Sequence, residues 1–484
     1  MTRWMAGTAR WALATCAMIP GAAQADSLRD ALVSAYTTNP TLQAARADQR
    51  AVDENVSIER AAGLPGISAS ASYTDYIYQS NSSPLNADSQ YGAAVSLGVP
   101  VYSGGAVKNG VRAAKTRVKA GQAELRATES GVFSQVVAAY MDVIQNEAIV
   151  GLSGNLVDVL AVNLKATTDR FEIGDLTRTD VAQSRSRLEL ARGDLRSARS
   201  NLLAARERYI ELVGREPGTL EPPPPLPNLP EDPAVAVSVA LENNPDLIAA
   251  RERSEAAGYD IKVAGSSRMP RIELFAGTDY THSERSGTAA LGAIFPNSST
   301  AATAGVRATI PIYQGGRPAA LERQAQAHAS ATLEREIAAE REVIAQARAT
   351  YSSWRAANAI IETTQSAIDA AELSLQGVRA ENTVGNRTIL DILDAEQELL
   401  RARVQLVTAR RNAYVAGFSL LAAMGRAEAR DLALDPGGPL YDPGANYERV
   451  RSKLSDWDGD PAPVAKSTRT VDTPTQEGAI PNGQ

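Results

Sequence analysis

Cysteine and histidine are nearly absent. A chain of 484 residues holds one Cys, Cys16, and two His, His282 and His328, too few to build a Cys/His metal site. Aromatic residues are scarce as well, with five Phe and four Trp, so the three ordinary domains that a prior of roughly 150 residues each suggests would lack bulky core filling. Excess positive charge is missing, since the formal net charge is −7, and with it the electrostatic footprint of a nucleic-acid binder. No run of about 18 uninterrupted apolar residues occurs after residue 25, which argues against a transmembrane helix. Enzyme signatures are absent too. Gly105 and Gly110 have the spacing of a phosphate loop, but Val111-Arg112 follows instead of Lys-Ser/Thr. No G-x-S-x-G elbow is found. His282 is expected in a polar loop and His328 on a helix face, both solvated. Nothing in the chain calls for a catalytic centre, a cofactor or a metal.

Alanine dominates what is present, in long stretches with Arg, Glu, Gln and Leu, the composition of long helices. Residues 1–25 read as a secretory signal: Arg3 and Arg10, the mostly apolar stretch 11–20, and the cleavage pattern Ala23-Gln24-Ala25. Cleavage would leave 47 basic against 56 acidic residues and remove Cys16; Thr15 is a poor residue to precede a lipidated cysteine. Residues 436–484, rich in Pro, Gly, Asp and Thr and without periodicity, read as a mostly disordered tail.

Between these ends the chain resembles itself at a separation of about 205–211 residues. Asn39-Pro40 recurs as Asn244-Pro245, and Leu64-Pro65 as Met269-Pro270. The segment Val99-Pro100-Val101-Tyr102-Ser103-Gly104-Gly105 recurs as Ile310-Pro311-Ile312-Tyr313-Gln314-Gly315-Gly316. Tyr140 matches Tyr351, Gly174 matches Gly385, Asp180 matches Asp391, and Gly214 matches Gly425. The repeats are placed at 26–217 and 234–435, joined by a Pro-rich linker, 218–233, that forms a stiff spacer. Each repeat predicts a helix of about 35 residues, two strands around a polar loop (79–90 and 281–301), a very long helix, a Gly-containing turn and a helix of about 40 residues.

The strands alternate apolar and small or polar residues. Ile67, Ala69, Ala71 and Tyr73 share one face of the first, and Tyr91, Ala93, Val95, Leu97, Val99 and Val101 that of the second. Ile272, Leu274, Ala276 and Tyr280 follow, then Ala304, Val306, Ala308, Ile310 and Ile312. Each run of about ten residues suffices to cross a bilayer as a tilted strand. After Gly316 a helical stretch of about 68 residues would reach about 100 Å. Its apolar residues recur every seven, as in Ile337, Ile344 and Tyr351, a coiled-coil period. Four strands cannot close a membrane barrel, for which about eight is the minimum, and open edges cannot face lipid. More than one copy must therefore pool its strands above a bundle of long helices.

The repeated P-x-Y-x-G-G after a strand, together with Thr383-Val384-Gly385-Asn386-Arg387-Thr388-Ile389-Leu390-Asp391-Ile392-Leu393-Asp394-Ala395, resembles the TolC family of outer-membrane efflux and secretion channels over residues 26–435. The resemblance implies a mixed α+β membrane protein: a homotrimer with a twelve-stranded β-barrel, four strands per chain, in outer-membrane lipid, continuous with a coiled-coil periplasmic tunnel. It implies a passive conduit for proteins or small toxic compounds, docked through a periplasmic adaptor protein to an inner-membrane ABC or RND pump.

The helical turns carry two readings. Thr177-x-x-Asp180 and Thr388-x-x-Asp391 look like capping boxes with Asp in the acidic place. Asp391 and Asp394, three apart, share a helical face, and a trimer would ring an opening with six carboxylates, favouring cations and raising some carboxylate pKa values. The resemblance further implies that Arg387 reaches Thr179 and Asp180 of a neighbouring coil to hold the tunnel entrance closed. A family tyrosine shares that restraint; its place here is taken by Asn382, which could still bond Asp180, so a weaker gate is expected. Gly104-Gly105 and Gly315-Gly316 serve the strand-to-helix junction, where φ > 0 is needed, with Pro100, Tyr102, Pro311 and Tyr313 at the barrel rim. The alternatives are a soluble periplasmic coiled-coil adaptor, which would not need lipid-suited strand pairs, and a simple diffusion porin, which would not need the rods.

Overall fold

The computed structural model describes residues 26–79, 86–285 and 296–474; the expected signal, with Cys16, lies outside them. The first helix is not continuous. Leu28–Thr38 (α1) and Pro40–Ala61 (α2) are separated at Asn39, whose backbone is extended at φ −65°, ψ 124°. A residue before proline is driven out of the α region, and Pro40 can only open a new helix. The Asn39 side chain then caps α2 by accepting from the Thr41 and Leu42 amides, while its amide donates to the Leu212 carbonyl at 2.9 Å. One helix of about 35 residues was the wrong expectation: the repeated Asn-Pro marks a break.

Two strands follow, Gly66–Asp75 (β1) and Ser89–Tyr102 (β2), then the rods Ala106–Glu172 (α3) and Arg178–Val213 (α4). The second repeat copies this order. Pro233–Asn243 (α5) and Pro245–Gly265 (α6) break at Asn244, which caps α6 and donates to the Ala423 carbonyl at 3.0 Å. Arg271–Glu284 (β3), Ser298–Thr309 (β4), Arg317–Thr383 (α7) and Ile389–Ala423 (α8) complete it. At 67 residues each, α3 and α7 extend about 100 Å. Contrary to the expectation from apolar runs, α3 carries a stretch apolar enough to cross a membrane by composition. Little of that stretch is buried within one chain; Leu160 packs against Leu188 and Leu393 of other helices, with Leu156 and Leu164 beside it, so part of this apolarity makes a helix seam.

The strands form one antiparallel sheet in the order β1-β2-β3-β4. The β2–β3 ladder joins the two repeats, with Leu97 opposite Ala276 and Val99 opposite Leu274. The register puts Ile67, Ala69, Val95, Leu97, Leu274 and Val306 on one face; the other carries Ser68, Ser70, Gly98, Glu273 and Arg307. The expected loops are shorter than read. Ser89 and Gln90 belong to β2, and residues 281–284 and 298–301 to strands, so His282 sits in β3 opposite Tyr91, not in a loop. His328 lies exposed on α7. In the other direction, Ile310 to Tyr313 fall outside β4. The β3 strand begins at Arg271, paired to Thr309, so the residues beyond have no ladder partner, and Pro311 has no amide to donate. Pro100 does lie within β2, where the register shifts between Pro100 and Tyr102.

The largest core gathers Phe133 and Tyr140 of α3, Tyr209 of α4 and Phe418 of α8 around α1. The linker passes over it, held by tyrosine hydroxyls on three rods. Tyr140 donates to the carbonyls of Glu221 (2.7 Å) and Asp26 (2.9 Å), Tyr414 to Pro224 (3.1 Å) and Tyr351 to Glu231 (2.6 Å). The tail also departs from expectation over 436–474. Residues Pro443–Val450 form a helix (α9) with an Asp442 cap, seated on α2 through Asn446 to Asp53 (2.8 Å) and Ser57 to the Val450 carbonyl (3.1 Å). The Arg46 guanidinium lies between the Tyr36 and Tyr441 rings. One eight-residue helix is too short to give a period, so pattern reading passes over it.

Candidate functional site: the helical tip

Two tight turns close the rods at the end away from the sheet. In each, a glycine takes the left-handed conformation that ends a helix, Gly174 at φ 85° and Gly385 at φ 82°. The chain then re-enters a helix through a reciprocal cap. The Thr177 hydroxyl and amide both donate to Asp180 Oδ2 (2.7 and 2.9 Å), and the Asp180 amide donates back at 3.3 Å. Thr388 and Asp391 repeat this at 2.8, 2.8 and 3.4 Å. Of the two readings, the capping box is the one this geometry displays.

The bonds from Thr177 hold the Asp180 carboxyl below its ordinary range, and those from Thr388, helped by Arg387, do the same for Asp391. Within one chain Asp391 is therefore made more acidic by its own turn; the repulsion expected to raise a carboxylate pKa acts between copies. Both caps favour the anion at a positive helix start.

Arg387 stays in its own turn. Its Nε donates to Glu381 at 2.8 Å and its Nη1 lies 3.8 Å from Asp391, which pushes the guanidinium pKa up. It does not meet Thr179 or Asp180 of the same chain. Asn382 also turns inward: its amide donates to the Arg387 carbonyl at 2.7 Å instead of bonding Asp180. A side chain this short satisfies the orphan carbonyl five residues on before it can span two coils.

The contact that does span the coils was not foreseen. Arg187 of α4 donates to Asp394 Oδ1 of α8 at 2.8 Å and to Gln397 Oε1 at 3.0 Å. Beneath it Leu160 and Leu188 pack against Leu393. Within one chain Asp394 is thus an ion-pair partner. Ion pairs Arg379–Glu396 and Arg403–Glu372 join α7 to α8 on the same stretch. Arg187 lies seven residues after Asp180, two turns along the same face, which was the available signal. At the extremity, Ile173 and Val384 are left 80% and 72% exposed.

At the other end of the rods, Gly104 and Gly105 have φ of 66° and 87°, and Gly315 and Gly316 of 60° and 81°. A Cβ on Gly104 would meet Met269 Cβ at 2.6 Å and the Ser266 carbonyl at 2.8 Å, whereas Gly315 and Gly316 have open space. Tyr102 and Tyr313 are exposed at the rim. No cluster among the described residues could hold a metal ion.

A family model described as "Outer membrane efflux protein" matches residues 31–215 and 236–426. The outer membrane efflux protein BepC of Brucella suis is 33% identical over 89% of this chain and 92% of its own length. The outer membrane protein TolC of Escherichia coli is 26% identical over 95% of each. Among solved structures, the CmeC outer membrane channel of Campylobacter jejuni superposes with a TM-score of 0.72 at 16% identity, over 89% of this chain and 90% of that one. The four-stranded sheet and long rods are those of one subunit of a TolC-type trimeric barrel and tunnel. TolC-like channels work as trimers with periplasmic adaptors and inner-membrane pumps. They are channels, not enzymes. The chain belongs to the outer membrane efflux protein family and is an outer-membrane channel, with a periplasmic tunnel, of a tripartite efflux or type I secretion system.

Proposed function

We propose that the protein is the passive exit duct of its system, without catalytic activity, and that its entrance is restrained chiefly within each subunit. The Arg187 bridge to Asp394 and Gln397 carries this reading, because it ties the two coils of one chain at the tip where a closed tunnel must narrow. The pair is half exposed, with side chains 37% and 64% accessible, so its strength is modest, under about 1 kcal/mol per pair. Three copies act together on one opening. Arg387 supplies the second restraint by exchanging its own-turn partner Glu381 for Thr179 and Asp180 of a neighbouring copy. Asn382 adds nothing across coils.

Planar-bilayer recording tests both restraints. Arg187→Ala is expected to raise the resting conductance several-fold and Arg387→Ser to raise it less. Unchanged conductance in the first would overturn the intrasubunit restraint; in the second, it would remove Arg387 as a latch.

Arg187 also answers one of the two acids expected to ring the opening. Arg187→Gln should therefore raise the cation-over-anion permeability ratio, read from reversal potentials in a salt gradient. An unchanged ratio would show that Asp394 already acts as a free charge.

The exposed apolar Ile173 and Val384 support docking of the tip to a periplasmic adaptor, and through it to an ABC or RND pump, for export of proteins, small toxic compounds or both. Ile173→Asp with Val384→Asp should abolish co-purification of the adaptor while leaving membrane insertion intact. Recovery of the wild type in the soluble periplasm would favour a free adaptor protein instead. We place the functional units at 1–25, 26–217, 218–233, 234–435 and 436–484.

A further inference from the structure

The two long rods are equal in length and unequal in cover. Twenty residues of α3 are buried, compared with eight of α7. The difference has a source: α3 packs against α6 and α8 of the other repeat, and among the described residues neither α2 nor α4 covers α7 in the same way. The repeats are in constant register within each element. Helix α7 begins 211 residues after α3 (317 against 106), α8 211 after α4 (389 against 178), and α6 205 after α2 (245 against 40). Every contact between α3 and α6 or α8 therefore has a defined counterpart between α7 and the α2 or α4 of another copy.

Applied to α3 and α6, which run antiparallel, the correspondence is informative. Arg253 of α6 pairs with Glu124 of α3. Their counterparts are Asp48 of α2 and Arg335 of α7: the same pair with its charges exchanged. Both are exposed, and among the described residues neither has a partner. Two turns away, Arg117 pairs with Asp260, and the counterparts are His328 and Asn55, both exposed and able to hydrogen-bond. Ala120, between Arg117 and Glu124 on the same side of α3, is buried, while its counterpart Ala331 is exposed.

Applied to α3 and α8, the correspondence leaves no charge stranded. Arg411 donates to Asp142 at 2.7 Å, and Gln145 to Thr408 at 3.1 Å. In their places stand Ser200 with Ser353, and Ala356 with Ser197, four small residues that let helices approach closely.

We propose that, where copies meet, Arg335 of α7 pairs with Asp48 on α2 of the neighbouring copy, and that this charge-exchanged pair sets the register in which the two helices dock. The occupant is fixed by charge complementarity, since an exchanged pair preserves attraction where two unrelated substitutions would not. The ring itself rests on the channel reading; the register does not follow from it.

Thiol cross-linking tests the register, with Cys16→Ser so that only introduced cysteines are present. Outer membranes bearing Asp48→Cys with Arg335→Cys, treated with a short bismaleimide, should give covalent dimers and trimers on denaturing gels, and each single variant only monomers. The shifted pair Thr41→Cys with Arg335→Cys, two helical turns away, should link poorly. Stronger linking through the shifted pair would overturn the register while leaving the channel reading intact. Absence of any assembled ring by native mass would overturn both. A charge exchange checks the pair itself. Asp48→Arg should lower the temperature at which the trimer dissociates, and adding Arg335→Asp should restore it; no recovery would remove the ion pair.

Discussion

Thr388 and Asp391 show how much of the tip rests on single side chains. The cap satisfies amides that no helical carbonyl can reach, and removing a threonine cap costs about 1 kcal/mol. Because the Asp391 pKa is lowered on folding from 3.8, its contribution is complete above that value and is lost as pH falls through the lower, folded one. Amide exchange at 388–391, compared at pH 6 and near pH 3, should show protection lost on the acid side. Thr388→Ala should lose it already at pH 6. Persistence of protection in that variant would mean that the turn is held by Gly385 and Asn382 alone. At this scale the sequence was a mixed guide. The Thr-x-x-Asp spacing announces its own geometry, since all its partners lie within three residues. Arg187 does so only faintly: it lies two turns after Asp180 on the same face, but its partner Asp394 is 207 residues away.

At the scale of elements, the junction glycines separate two causes that sequence cannot. Gly104 and Gly315 occupy matching places in P-x-Y-x-G-G, and both have positive φ. Only Gly104 is also crowded, by Met269 and the Ser266 carbonyl. Gly315→Ala should cost about 1–2 kcal/mol from dihedral strain alone. Gly104→Ala should cost more, because backbone must move as well. The difference is measurable as a larger drop in the trimer's heat-dissociation temperature; equal drops would show that the Met269 side of the junction yields. The repeat offset and the length of α7 were legible because they are periodic over many residues. The breaks at Asn39 and Asn244 were visible as letters but hidden by apolar periodicity running through them. The end of β4 was not legible at all: a strand stops where its partner stops, and that is a property of β3.

For the whole molecule, the sheet and the rods pose one common problem. Among the described residues, strands β1 and β4 each leave an edge unpaired, and α7 leaves a face uncovered. Both defects lie at the boundary between copies, so the chain is complete only in a ring. The scarcity of Phe and Trp fits this plan, since seams between rods need small residues, and the fully buried aromatics Phe133, Tyr140, Tyr209 and Phe418 lie where α1, α3, α4 and α8 meet. Fold class and oligomeric need were therefore legible from strand count and rod length, while the order of packing around the ring required coordinates.

The belt of linker held by Tyr140, Tyr351 and Tyr414 has a mechanical meaning. From Tyr140 to Glu172, and from Tyr351 to Thr383, the rods run 32 residues beyond their hydroxyl anchors, a lever of about 48 Å. If the belt is the fulcrum, a lateral swing of about 10 Å at the tip needs a tilt of about 12° over that arm, with no helix stretched or unwound. The two levers are equal, so both coils of a subunit would sweep the same arc about a strap that sits at mid-height.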